Sequence, residues 1–225
     1  MNKDNGSIQP INGGIDASIY KGIRDTLAQA RTKVFTTINF AMVEAYWDIG
    51  RQIEEAVGER AEYGKGLLKF LSNQLTSEFG KGFTVANLRN MRQFNQTFSN
   101  RYALRSELTW THYRLLMRVD DNNRRDFYLR ECAESEWSSR QLERQINSFF
   151  YERLLATQKS GRDGVRNEIQ TLEPKTDTDY ILKDPYIMEF LNLKENRDYR
   201  ESDLEQALID KYRIFCLNLV KGFHL

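Results

Sequence analysis

Histidine and cysteine are scarce in this 225-residue chain, with two of each. That supply excludes a disulfide framework and offers no paired-histidine zinc motif. Cys132 and Cys216 both fall on apolar helical faces without metal-ligand spacing, so both are expected as reduced, buried thiols, and a reducing cytoplasm is the expected compartment. Long apolar runs are also missing. None approaches the roughly eighteen residues that would mark a membrane span, and the opening MNKDNGSIQPINGG is polar rather than signal-like, so no membrane partner is expected. The chain has no phosphate-cradling glycine loop and no Ser-x-x-Lys acyl-enzyme motif; Gly80 and Gly82 are too few for a nucleotide fingerprint. Glu173-Pro174-Lys175 matches a nuclease Glu-x-Lys literally, but its proline argues against the central strand such a motif needs.

What is present is helical pattern and segregated charge. The formal net charge is only +1, yet Lys81 to Arg130 holds ten basic and four acidic residues, and Glu168 to Glu205 holds five basic and eleven acidic ones. A basic region followed by an acidic arm suits a polyanion-binding surface with a separate partner region. The length admits one moderate core or a principal domain plus a fragment.

The chain divides into a disordered lead (1–16), a helical domain (17–157), a polar linker (158–180) and a final connector with a helix (181–225). Ile19, Ile23, Leu27, Ala30, Val34, Ile38, Ala41, Ala45, Ile49 and Ile53 mark one side of a helix reaching about Val57. Its length predicts an exposed strut, a coiled-coil surface for a homodimer, or a break near Gly50; Phe35, Phe40, Tyr46 and Trp47 widen its apolar face beyond a heptad seam, which favours packing against the rest of its own domain over self-association. A charged turn over Gly58 to Gly66 precedes a helix carrying Leu67, Leu68, Leu71, Leu75 and Phe79, which Gly80-Lys81-Gly82-Phe83 ends. Thr84 can then cap a helix that buries Val85, Leu88, Met91, Phe94 and Phe98.

Helix, short glycine turn and second helix is the arrangement of a helix-turn-helix reader. Lys81, Asn87, Arg89, Asn90, Arg92, Gln93 and Gln96 are the candidate nucleic-acid contacts, because amides can pair with adenine edges and guanidinium groups with guanine or phosphate. The alternative is an ordinary polar helix face.

Leu108 to Leu155 combines dense aromatic content with a large arginine supply. Tyr113, Leu116 and Met117, then Phe127, Tyr128 and Cys132, then Leu142, Ile146, Phe149, Phe150 and Leu154 predict three helices. Asp120 or Asp121 can cap the second, and Ser138 with Gln141 reads as a capping box for the third. Arg114, Arg118, Arg124, Arg125 and Arg140 are left as flanking phosphate contacts. His112 has no cysteine or carboxylate cluster beside it and reads as a packed or surface residue; Trp137 reads as a core plug.

The runs KGFTVANLRNMRQF (81–94), LTWTHY (108–113), Arg125 to Tyr128, WSSRQLE (137–143) and LKDPY (182–186) occur in an order that resembles the YhcG-like proteins of bacteria, formerly DUF1016. The resemblance extends from about Ile19 to Phe223. It implies a mainly α, multi-helical DNA-binding domain with a helix-turn-helix or winged-helix-like unit, followed by the truncated start of an α/β nuclease domain of the PD-(D/E)xK type. It also implies double-stranded DNA as partner, together with a restriction-modification or nuclease partner. The metal-binding Asp and Glu-x-Lys of such nucleases have no counterpart up to Leu225; only Glu205 matches, as the glutamate of the opening helix. No cofactor is therefore expected in this chain, Mg²⁺ being implied only for a complete nuclease domain. The expected function is DNA binding without cleavage. A protein-interaction or oligomerisation module is the alternative, and a metal-dependent endonuclease completed by a missing segment or partner is the third.

Overall fold

Helix is the only regular structure among residues 13–58, 61–157, 164 and 185–190, which the computed structural model describes. The α-helices are α1 (Gly13–Val57), α2 (Ala61–Phe79), α3 (Val85–Thr97), α4 (Trp110–Leu116), α5 (Asn122–Glu134), α6 (Ser139–Asn147), α7 (Phe150–Ala156) and α8 (Pro185–Phe190). Single 3₁₀ turns cover Lys81–Phe83 and Arg101–Ala103. The mainly α expectation holds, and no strand, hence no β-wing, occurs among the described residues. The linker 158–180 apart from Gly164, and the last helix expected around Glu201 to Phe223 with Glu205 and Cys216, lie outside them.

α1 begins at Gly13, inside the stretch expected as an unstructured lead, and crosses from one compact unit ending at Phe35 into a second beginning at Thr36. In the first unit every residue from Ala17 to Arg31 is exposed, including Ile19, Tyr20, Ile23 and Leu27. In the second, Ile38, Met42, Val43, Tyr46, Trp47, Ile53 and Val57 are buried, whereas Ala41, Ala45 and Ile49 are only half-buried. The buried face is thus turned by about one residue from the alanine stripe, because the large rings of Tyr46 and Trp47 remove far more apolar surface from water than alanine does.

The break expected near Gly50 does not occur. α1 runs through Gly50, which is buried where a Cβ would fall on the Met91 carbonyl. Glycine here allows two helix backbones to touch; its missing side chain serves packing rather than a turn.

Around that crossing sits an aromatic core. Trp110 stands edge-on to Tyr46 at 5.1 Å and to Phe94 at 5.3 Å, and Tyr113 meets Phe94 at 4.8 Å and Phe98 at 5.3 Å. Full burial of each such side chain contributes about 1.5–3 kcal/mol. Trp47 Nε1 donates to the Phe98 carbonyl at 2.6 Å and Asn39 Nδ2 to that of Leu108 at 2.9 Å, tying α1 to the ends of α3 and the start of α4. α8 adds Ile187 to the buried set and places Phe190 against Tyr46 at 6.1 Å.

Leu108 to Leu155 contains four helices rather than three, since the expected third helix breaks at Phe149. Phe149 takes a left-handed conformation (φ 55°) and is exposed. The buried Tyr128 hydroxyl supplies the broken ladder, donating to the Gln145 carbonyl at 3.1 Å and accepting from Tyr151 N–H at 3.2 Å. The caps fall where expected: Asp121 Oδ1 accepts from Arg124 N–H at 2.7 Å, and Ser138 and Gln141 form a reciprocal box.

Candidate nucleic-acid interface

α2 starts at Ala61, inside the turn expected over Gly58 to Gly66, and a Cβ on its Gly64 would run into the Val57 side chain. It ends at Phe79, and Gly80 adopts φ 99°, a conformation costly for any residue with a Cβ. The chain then makes its 3₁₀ turn, with Gly82 and Phe83 buried, and enters α3 through Thr84, whose hydroxyl accepts from Asn87 N–H at 3.2 Å. Leu88, Met91 and Phe94 lock one side of α3 into the core, which fixes what the other side presents.

The seven candidate contacts separate into three groups. Lys81, Arg89 and Gln93 are exposed and make no side-chain hydrogen bond or ion pair among the described residues. Arg89 and Gln93 are four apart and share one helix face, with the half-buried Asn90 beside them. Asn87 is a correction: it is buried, and its Nδ2 donates to the Gly82 carbonyl at 2.6 Å, bracing the turn instead of reading a ligand. Arg92 and Gln96 are drawn towards α1. Glu54 accepts from Arg92 Nε and, at 2.9 Å, from Gln96 Nε2, and these bonds hold its carboxyl below the usual range. Nothing local in the sequence marks Glu54, which lies 38 residues from Arg92.

The flanking arginines divide the same way. Arg118 and Arg140 are exposed, and their side chains make no hydrogen bond or ion pair among the described residues. Arg114 hydrogen-bonds the Tyr186 hydroxyl and stacks 5.4 Å from that ring; burial lowers its pKa. Arg124 pairs with Glu152 at 2.9 Å. Arg125 donates to the carbonyls of Leu116 at 3.3 Å and Val119 at 3.0 Å, closing the C-terminal end of α4. These three are thus engaged within the fold, whereas Arg118 and Arg140 are not. Arg101 is tied to α1 through Glu44 and Asp48, both at 3.1 Å.

His112 is packed. Its Nδ1 accepts from Thr109 N–H at 3.0 Å and its Nε2 lies 2.9 Å from the Trp137 carbonyl, so the proton belongs on Nε2. Burial drives its pKa down to about 4 and that of the Cys132 thiol up to about 12. Among the described residues no three His, Cys, Asp or Glu side chains converge on a metal position, so those residues do not fit a Mg²⁺ site. No described helix is long and apolar enough to cross a membrane.

A family model described as the DUF1016 N-terminal domain matches residues 22–153, more than half of the chain. This chain belongs to the DUF1016 N-terminal domain family. It is also 33% identical over 241 residues to the Escherichia coli K12 protein named "Putative nuclease YhcG", an alignment covering 91% of this chain and 63% of that protein. The chain thus spans less than two thirds of that relative's length. No solved structure matches. The DUF1016 N-terminal match encloses all of α2 to α6, and with them every candidate contact from Lys81 to Arg140; Glu205 falls beyond it.

Proposed function

We propose that this chain is the DNA-binding module of a bacterial PD-(D/E)xK nuclease-family protein, with the α2–turn–α3 unit as its duplex contact and Lys81, Arg89, Asn90 and Gln93 as the contacting side chains. One observation carries the reading: α3 has no carboxylate anywhere along its thirteen residues, and Arg89 and Gln93 on its outer face, like Lys81 in the turn before it, are exposed without internal side-chain partners. Such a face attracts phosphate, while its amides can pair with base edges. Membership of the DUF1016 N-terminal family and the relative's name supply the nuclease context.

The test is a fluorescence-anisotropy titration with duplex DNA over a salt series. The double change Lys81→Ala and Arg89→Ala is expected to weaken binding about tenfold and to reduce the salt slope by about 2, one phosphate contact per cation lost. Unchanged affinity with retained helicity would remove this surface from consideration.

A second reading, self-association, is favoured by the exposed apolar side chains Ile19, Tyr20, Ile23 and Leu27 on the first part of α1.

A further inference from the structure

We propose that α6 is a second DNA-contacting helix, carried by a separate helix-turn-helix made of α4, α5 and α6. The inference rests on the DNA-binding reading above and adds a surface that reading does not use. Each of these three helices packs against the other two, so they form a closed three-helix set. α5 ends at Glu134 and α6 begins at Ser139, leaving a turn of Ser135, Glu136, Trp137 and Ser138. Glu136 takes φ 52°, the left-handed step that lets a chain reverse between two helices within so few residues.

The turn is fixed from both neighbours. Trp137 N–H donates to the Cys132 carbonyl at 3.1 Å on α5, and the Trp137 carbonyl is met by His112 Nε2 at 2.9 Å on α4. The Ser138–Gln141 box then starts α6, with Gln141 Oε1 2.6 Å from Ser138 N. Ser139, Leu142 and Gln145 face inward. Arg140, Glu143, Arg144 and Asn147 are all exposed, at spacings of three, four and seven residues from Arg140, and so form one stripe.

The composition of that stripe identifies its occupant and distinguishes it from α3. Two guanidinium groups match guanine edges or phosphate, an amide matches adenine, and a carboxylate can accept from the cytosine amino group. Asn90 and Gln93 of α3 already offer both donors and acceptors; what α6 adds beside its two guanidinium groups is Glu143, an acceptor without a donor, which α3 lacks. Arg118, exposed just beyond α4, adds a cation on the same three-helix set.

The experiment compares three forms of this 225-residue chain in duplex titrations over a salt series: the unaltered chain, Lys81→Ala/Arg89→Ala, and Arg140→Ala/Arg144→Ala, each checked for helicity and melting temperature. Both variants are expected to bind about tenfold more weakly with a shallower salt slope. A loss confined to Lys81→Ala/Arg89→Ala overturns the α6 assignment and leaves the α3 reading standing. Loss confined to Arg140→Ala/Arg144→Ala supports α6 and overturns α3. Failure of the unaltered chain to bind duplex DNA overturns both.

Discussion

His112 shows how one side chain can connect local cap chemistry with global stability. Its ring accepts at the start of α4, reaches the α5–α6 turn, and is held neutral by burial that lowers its pKa from 6.5 to about 4. Between those values the unfolded chain binds a proton that the folded chain refuses, so stability falls as pH falls through the window, by about 1.4 kcal/mol per pH unit. Above 6.5 both states are neutral, and below about 4 both are charged, so the slope from this residue vanishes on either side. Urea unfolding across the window should show the fall, and His112→Gln, which keeps a donor and an acceptor, should flatten the curve by that increment. An identical slope in the variant would show that other groups set the acid sensitivity. The same scale explains why Asn87 and Arg92 cannot be assigned from spacing: a polar residue on a helix has two possible destinations, and only the long-range positions of Gly82 and Glu54 decide between them.

Elements were more legible than their partners. Gly80, Thr84, Asp121 and the Ser138–Gln141 pair punctuate the chain through chemistry that acts within four residues, so helix starts could be read directly. The break at Phe149 could not, because the group that satisfies it, Tyr128, comes from another helix, and an aromatic residue gives no sign of a left-handed backbone. Gly50 is the counterpart on α1: a glycine that resembles a helix breaker in sequence is instead the contact point between α1 and α3. Gly50→Ala should therefore destabilise the protein by about 3 kcal/mol or more, despite alanine's better helix propensity, because the new methyl meets backbone that cannot rotate away. Gly22→Ala, with open space around it on the same helix, is the control and should be neutral or slightly stabilising in a thermal melt.

At the scale of the whole molecule, the family match encloses the candidate site, while α1 raises a question that the proposed DNA binding does not answer. Tyr20, Ile23, Leu27, Ala30 and Val34 repeat at three and four residues, the spacing of a coiled-coil seam, and the first three are exposed by more than half. The positions flanking that seam carry Arg24, Arg31 and Lys33 and no carboxylate, so two copies brought together along it would set like charges against each other. Self-association through α1 should consequently be weak at low salt and strengthen as salt screens the flanks, opposite to the salt response of DNA binding. Light scattering over a concentration series at two ionic strengths should show the mass rising towards a dimer at the higher one. Ile23→Glu with Leu27→Glu should hold the mass at monomer while leaving the melting temperature unchanged, since both side chains are already solvent-exposed. A mass that stays monomeric at every concentration and salt would exclude the self-association reading and leave the exposed stripe for a different protein, whose helix would need acidic flanks to match Arg24, Arg31 and Lys33.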